Sequence, residues 1–239
     1  GEDSTEVLVQ AATDMAYEYI AITDHSAGLG VAKGLSVDRL RDRILDIRKL
    51  QDKFSIRIFI GSEVDIRADG TLDYPDDLLA ELDIVIASVH SAMGQDSDVM
   101  TQRLISAMNH QSVTIIGHLT TRIIGQRPPV QLDIELILEA AKRTGTVLEI
   151  NSSPERLDLK DTHARLAKQM GVPLVVNTDS HDKSGFLQRK YGIAVARRAG
   201  CLPTNVVNTM GVDRFSNYLS SPKRERDVIF SSYIGDWNS

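Results

Sequence analysis

A single cysteine, Cys201, occurs in 239 residues, which excludes an intramolecular disulfide and any zinc site built from several thiolates. Free cysteines usually serve as small core filler, and that is the expectation for Cys201. Long apolar runs are missing too: none approaches the roughly 20 residues a helix needs to cross a bilayer. The opening stretch GEDSTEVLVQ is acidic where a secretory leader would be basic and then apolar, so a cytoplasmic location is expected. Positive charge is not in excess, since 27 Lys and Arg stand against 33 Asp and Glu, for a net charge of −6. A polyanion would therefore have to be held locally, by a metal or a few arginines, and not by the field of the whole molecule. There is no P-loop, no Rossmann glycine pattern, no Ser-His-Asp order and no internal repeat. GLGVAKG carries glycines at the wrong spacing and no lysine followed by Ser or Thr.

What the chain does have is six short apolar runs: YIAITDHS, IFIGSEVD, IVIASVHS, VTIIGHLT, TVLEINSS and VPLVVNTDSH. Runs of β-branched and aliphatic residues bounded by turn residues read as strands buried on both faces. They fall at 19–24, 57–65, 84–89, 113–117, 146–150 and 173–178. Helical patterns alternate with them, at 3–16, 36–52, 76–82, 97–109, 133–143, 161–170 and 186–199. The first of these helices would be capped by Asp3 or Ser4, with Val7, Leu8, Ala11 and Ala12 as its apolar face. Uninterrupted alternation predicts right-handed βαβ units in one parallel sheet within one α/β domain. From about residue 213 the character changes to a serine- and charge-rich tail with Phe230, Tyr233, Ile234 and Trp237 as isolated apolar anchors. It is expected to pack outside the domain or to be partly disordered, with the charge run from Lys223 to Asp227 as a solvated segment.

Five of the runs end in, or are closely followed by, good metal ligands: His25, Glu63, His90, His118, and Asp179 with His181. The sixth offers only Glu149 and Asn151. Parallel strands that end around a ring deliver side chains from distant parts of a sequence to one mouth, so wide spacing is no obstacle to a shared site. Glu63 follows an apolar strand, where a carboxylate is costly unless paired or coordinated. In extended chain the i, i+2 residues Asp179 and His181 would point the same way. One such histidine alone is more often a hydrogen-bonded loop residue, but four at strand exits, with two acids, favour a metal site. His110 and His163 lie elsewhere and are read as non-ligands, and Asp24 as loop support. Imidazole and carboxylate donors without thiolate suit manganese, zinc or iron. Two or three such ions favour hydrolysis of a phosphoester.

At these residues the chain resembles the PHP (polymerase and histidinol phosphatase) family, in particular the PHP domain appended to bacterial and archaeal family X DNA polymerases. The matching pieces are ITDHS (22–26), GSEVDIRADGTLDYPD (61–76), SVHS (88–91), GHLTTRIIGQR (117–127), EINSSPERLDL (149–159) and TDSH (178–181), and they span roughly residues 1–212, leaving 213–239 as the tail. The resemblance implies a distorted (β/α)7 TIM-like barrel with up to three metal ions at the strand ends. By position, Glu63 is similar to the family's bridging carboxylate, His90 and His118 to ligands of a second ion, Asp179 to a ligand of the first, and His25 with His181 to ligands of the third. Glu63, His90 and Asp179 are the expected catalytic centre, and Arg122, Arg156 and Lys33 the residues facing a substrate phosphate.

The family opens with a strand ending in His-x-His, shortly before a Ser-Asp-Gly whose glycine corresponds to Gly1 here, and six strands are legible where the family has seven. Leu119 stands where the family commonly has proline. An open barrel of six strands is expected to expose an unpaired edge and an apolar slot, favouring instability, dimerisation or plugging by the tail, with Val228–Phe230 as an added strand. The leading expectation is a metal-dependent phosphoesterase acting on phosphodiesters or phosphomonoesters, with DNA 3′ ends as the substrate class. The alternatives are a small-molecule phosphatase of the histidinol-phosphate kind and an inactive remnant serving as a structural or interaction module.

Overall fold

A computed structural model describes residues 2–28 and 34–238, the side chains as far as residue 234. Six parallel strands, β1 (Tyr19–His25), β2 (Arg57–Asp65), β3 (Ile84–Ser88), β4 (Ile115–Ile116), β5 (Val147–Asn151) and β6 (Leu174–Asn177), pair in sequence order. They form a curled half-barrel within an α/β fold. Around it run α1 (Thr5–Asp14), α2 (Val37–Gln51), α3 (Asp76–Leu79), α4 (Ser97–Asn109), α5 (Ile134–Thr144), α6 (Asp161–Met170) and α7 (Arg189–Arg198).

The helices form where caps and apolar period agree. Ser36 caps α2 by accepting from Arg39 N, and Leu40, Ile44 and Ile47 at helical spacing are buried. Asp133 caps α5 through Leu136 N, and Gly145 ends it at φ 67°, where a Cβ would also lie 2.7 Å from Lys223 O. In α1 the buried residues are Val9 and Ala12, while Val7 is exposed. The apolar run Val7-Leu8-Val9 fits two helix faces, and docking selects the one carrying Val9. β4 is shorter than its apolar run because Gly117 brings the chain so close to β3 that a Cβ would lie 2.5 Å from Ser88 Oγ, and His118 then turns to φ 25°.

Each strand has an outer and an inner face. Outward residues such as Ile58, Ile60, Val85, Ala87, Ile116, Leu148 and Leu174 join one core cluster with the surrounding helices. Inward residues at the lower, N-terminal level, Phe59, Ile84, Ile86, Ile115, Val147 and Val175, belong to a second cluster. That second cluster is completed by the segment expected as a tail. It forms α8 (Val212–Ser220) and α9 (Arg226–Asn238), and Phe215, Tyr218, Leu219, Phe230 and Tyr233 are buried against the inner strand residues. Phe215 stacks on Tyr19 at 4.8 Å and meets Phe59 edge-on at 5.4 Å.

Expectations about this segment therefore change. It does plug the barrel, but with helices: Val228–Phe230 lie inside α9 and add no strand, and Val228 is exposed. The side chain of Trp237 falls outside the described residues. The charge run is not wholly solvated either. Lys223 Nζ donates to Met108 O at 2.5 Å and His110 O at 3.3 Å, and Arg226 is buried, donating to Leu219 O and Ser221 O with its guanidinium over Tyr218. Both cations satisfy backbone carbonyls that the helix ends leave free.

β1 and β6 are the sheet's two edges, and between them the half-barrel stays open, as an open six-strand barrel predicts. A cavity of about 1000 Å³ runs from the strand exits down this opening, past Tyr19, Ala21, Ile86, Val175 and Phe215. The β6 edge is partly covered: Asn208 accepts from Val176 N (3.2 Å) and donates to Val176 O (2.8 Å), as a neighbouring backbone would. Cys201 is half-buried and packs against the main core.

Candidate metal centre

Above the apolar inner level, every strand turns polar at the same height. In β2 the inward residues run Phe59, Gly61, Glu63, Asp65, since alternate residues of a strand share a face. Parallel register places His25 opposite Glu63. His90 and His118 each lie two residues beyond the end of their strand, and Glu149 and Asn151 occupy the corresponding level of β5.

Glu63 is the centre of the arrangement, with only 8% of its surface exposed. Its Oε1 lies 3.0 Å from His118 Nε2 and 3.3 Å from His90 Nε2, and its Oε2 lies 3.4 Å from His25 Nδ1. His25, Glu63 and His90 each offer one donor atom within 4.8 Å of the others, a spacing one cation can bridge. Glu63 Oε1 is buried and lacks a well-directed hydrogen bond, as is His118 Nδ1. Orphaned buried donors of this kind, all oxygen and imidazole nitrogen, fit a divalent cation.

Burial pushes the Glu63 carboxyl up, but the close His118, His90 and His25 imidazoles outweigh it and hold the group well below the usual carboxylate range. Burial likewise works against the His90 imidazolium, yet the neighbouring Asp65 and Glu63 carboxylates raise His90 to about 9. His118 is pulled down by burial and raised by Glu63, with a net increase. His25 is lowered, chiefly by burial, although Glu63 opposes the shift.

Asp179 and His181 complete the mouth by a different route from the extended chain expected of them. The strand ends at Asn177, and Asp179 takes φ 53°. The His181 ring lies 6.1 Å from that of His25, and its Nδ1 is 3.0 Å from Asp179 O. Asp179 Oδ2 accepts from Asn151 Nδ2 at 3.1 Å and lies 3.8 Å from Arg156 Nε. The six expected ligands thus surround one mouth. Of the three expected phosphate-facing residues, Arg156 stands at the rim with Nη1 buried and unpartnered. Arg122 spends Nε on Arg156 O (2.7 Å) and Nη2 on Leu157 O, so it braces the loop that carries Arg156. Lys33 lies outside the described residues.

Asp65 escaped the sequence reading, which names Glu149 and Asn151 but gives them no role. Asp65 Oδ1 accepts from His90 N at 3.1 Å and lies 3.3 Å from His90 Nδ1, which fixes the ring so that Nε2 faces Glu63. The available signal was the i, i+2 pair Glu63 and Asp65 on one strand face, and the same spacing in Glu149 and Asn151. Glu149 Oε2 accepts from His118 N at 2.7 Å, and burial pushes the Glu149 carboxyl up to about 7. Asp24 is paired with Arg43 at 2.8 Å, as a loop support should be. His110 contacts Asp76 at 3.2 Å, away from the mouth. Of the non-glycine residues at positive φ, His118 and Asp179 are expected ligands, and Ala92, Thr121 and Leu157 lie in the segments that follow β3, β4 and β5; among the described residues only Ala16 lies apart. Backbone strain of this sort persists where the surroundings over-determine it, and it clusters at functional sites.

A protein of Bacillus subtilis (strain 168) named DNA polymerase/3'-5' exonuclease PolX is 42% identical over 220 residues, covering 92% of this chain and 39% of the relative. The chain thus spans well under half of that relative's length. A protein of Thermoanaerobacter sp. (strain X514) named as a probable phosphatase is 34% identical over 191 residues, 75% of each chain. One from Shewanella oneidensis, also named a probable phosphatase, is 34% identical over 135 residues, 53% of this chain and 51% of its own. The family model described as PHP domain matches residues 1–153. That match runs from α1 through β5 and takes in His25, Glu63, His90 and His118, and the chain accordingly belongs to the PHP domain family.

Proposed function

We propose that this chain is a metal-dependent phosphoesterase whose centre is Glu63, His90 and Asp179, with His25, His118 and His181 as further ligands. The observation that carries the reading is Glu63 itself: a buried carboxylate faced by three imidazole nitrogens at 3.0, 3.3 and 3.4 Å, with no well-directed hydrogen bond to Oε1. Divalent ions held there would supply Lewis acidity towards a phosphoryl oxygen and a nearby water. The chain's own residues do the rest. Arg156 offers its unpartnered Nη1 to a non-bridging phosphate oxygen, and Arg122 keeps the Arg156 loop in place through two carbonyls. Asp65 holds the His90 ring.

DNA 3′ ends are the substrate class favoured by the relative named as a DNA polymerase/3'-5' exonuclease, which is also the more identical of the two compared at length. A small-molecule phosphatase of the histidinol-phosphate kind is the second reading, supported by the Thermoanaerobacter relative named a probable phosphatase, which is matched over 75% of its length. In a (β/α)7 barrel of the kind the resemblance implies, a seventh strand would lie in the opening between β1 and β6.

Hydrolysis of an aryl phosphodiester with added manganese tests the proposal. Activity should appear with the metal and vanish in Glu63→Ala and His90→Ala, and manganese-dependent turnover that survives either change refutes it. Degradation of a labelled oligonucleotide, set against phosphate release from histidinol phosphate, separates the two substrate classes.

A further inference from the structure

Glu149 has no place among the six ligands, yet it is 4% exposed and sits directly beneath them. It accepts three hydrogen bonds, each from an N–H donor. Oε2 accepts from His118 N at 2.7 Å and Asn151 Nδ2 at 3.3 Å, and Oε1 accepts from Asn177 Nδ2 at 2.9 Å. Among the described residues no ion pair holds it. An acceptor-only group is what three converging donors require, and an ionised carboxylate meets that need.

The two ends of this network are both expected ligands. His118 has left the β4 ladder and turned to φ 25°, so its backbone N–H has no strand partner, and Glu149 is its acceptor. On the other side Asn151 Nδ2 donates to Asp179 Oδ2 at 3.1 Å while also reaching Glu149. Asp179 is the other ligand held at positive φ, 53°. One carboxylate thus ties together the exits of β4, β5 and β6, at the two ligands whose backbones are strained.

We propose that Glu149 is a positioning residue that sets the distance between His118 and Asp179, so that both are aimed at the metal site around Glu63. This inference rests on the metal reading above. A glutamine at 149 has the same shape but only one acceptor oxygen and brings two donors, so it cannot keep all three bonds.

The test uses the full chain, Mn²⁺ alone as the probe, and calorimetric titration at pH 8. Glu149→Gln should stay folded by circular dichroism and bind Mn²⁺ about 10–100-fold more weakly, the usual cost of losing a partner that orients a ligand. In the metal-free chain, the His118 amide proton should lose the downfield shift that a short bond to a carboxylate gives. Asn151→Ala, which removes the branch to Asp179 together with the Asn151 bonds to Glu149 and from Ser153 N but keeps the Glu149 bond to His118 N, should weaken Mn²⁺ binding while leaving the His118 amide where it is. It decides the matter if Glu149→Gln does not fold. Wild-type Mn²⁺ affinity in a folded Glu149→Gln, or failing that in Asn151→Ala, overturns this inference alone. A wild-type chain that binds no Mn²⁺ overturns the metal reading and this inference with it.

Discussion

Replacing Phe215 by alanine measures whether the C-terminal helices are an integral part of the barrel. Phe215 is 4% exposed and lies between Tyr19 at 4.8 Å and Phe59 at 5.4 Å. Truncating a fully enclosed phenylalanine costs about 3–5 kcal/mol, part of it from the void left behind. Here one side of the ring borders the cavity between β1 and β6, so part of the vacated space joins an existing opening and does not become a dry void. The lower end, about 3 kcal/mol, is therefore expected. For a domain of this size that corresponds to a fall in Tm of about 6–12 °C. Val228→Ala in α9 is the control, because Val228 is 72% exposed and surface changes stay within about 0.5 kcal/mol. Calorimetric scans of the three proteins supply the comparison. A Phe215→Ala protein that melts with Val228→Ala would refute the packing argument.

Asp65→Asn should lower the pKa of His90 in the metal-free chain below its value of about 9, because the hydrogen bond and charge that raise it are weakened; an imidazole titration by NMR identical to wild type would refute the positioning role. The contribution of His90 to metal-free stability should also decline as pH rises from the ordinary histidine value of 6.5 through about 9, since a raised folded pKa favours the protonated, folded form only below that window; in denaturant melts at pH 6 and 9, the stability of the wild type relative to Asp65→Asn should fall. Lys223 has the opposite sign: burial depresses it from 10.5 to about 7, so its charge opposes folding as pH falls through that range. Stability relative to Lys223→Met should increase between pH 7 and 10.5, and a flat difference would show that the ammonium is better solvated than its place among the α4 carbonyls indicates.

Elements with one unambiguous period were legible almost to the residue. α4 and α6 occupy 97–109 and 161–170 as their spacing predicts. All six strands were recognisable because strands buried on both faces leave continuous apolar runs. Where two registers fit the same run, as at Val7 to Val9, only docking could choose. The C-terminal helices did leave a trace, in Phe215, Tyr218 and Leu219, and again in Phe230, Tyr233 and Ile234, both at i, i+3, i+4. Serine and charge between those anchors hid the pattern. Side chains at the mouth could be listed from strand exits alone, but Asp65, Glu149 and Asn177 act through hydrogen bonds across strands, and pairings of that kind exist only once register and curl are fixed.

The inner face of the sheet changes character at one height on every strand, from Phe59 to Glu63, from Val147 to Glu149, from Val175 to Asn177. Stability and chemistry are thus drawn from different storeys of the same strands. Substitutions on the upper storey can alter what is bound while the lower one goes on holding the sheet to α8 and α9. A scaffold divided in this way can exchange one substrate for another without first having to relearn how to fold.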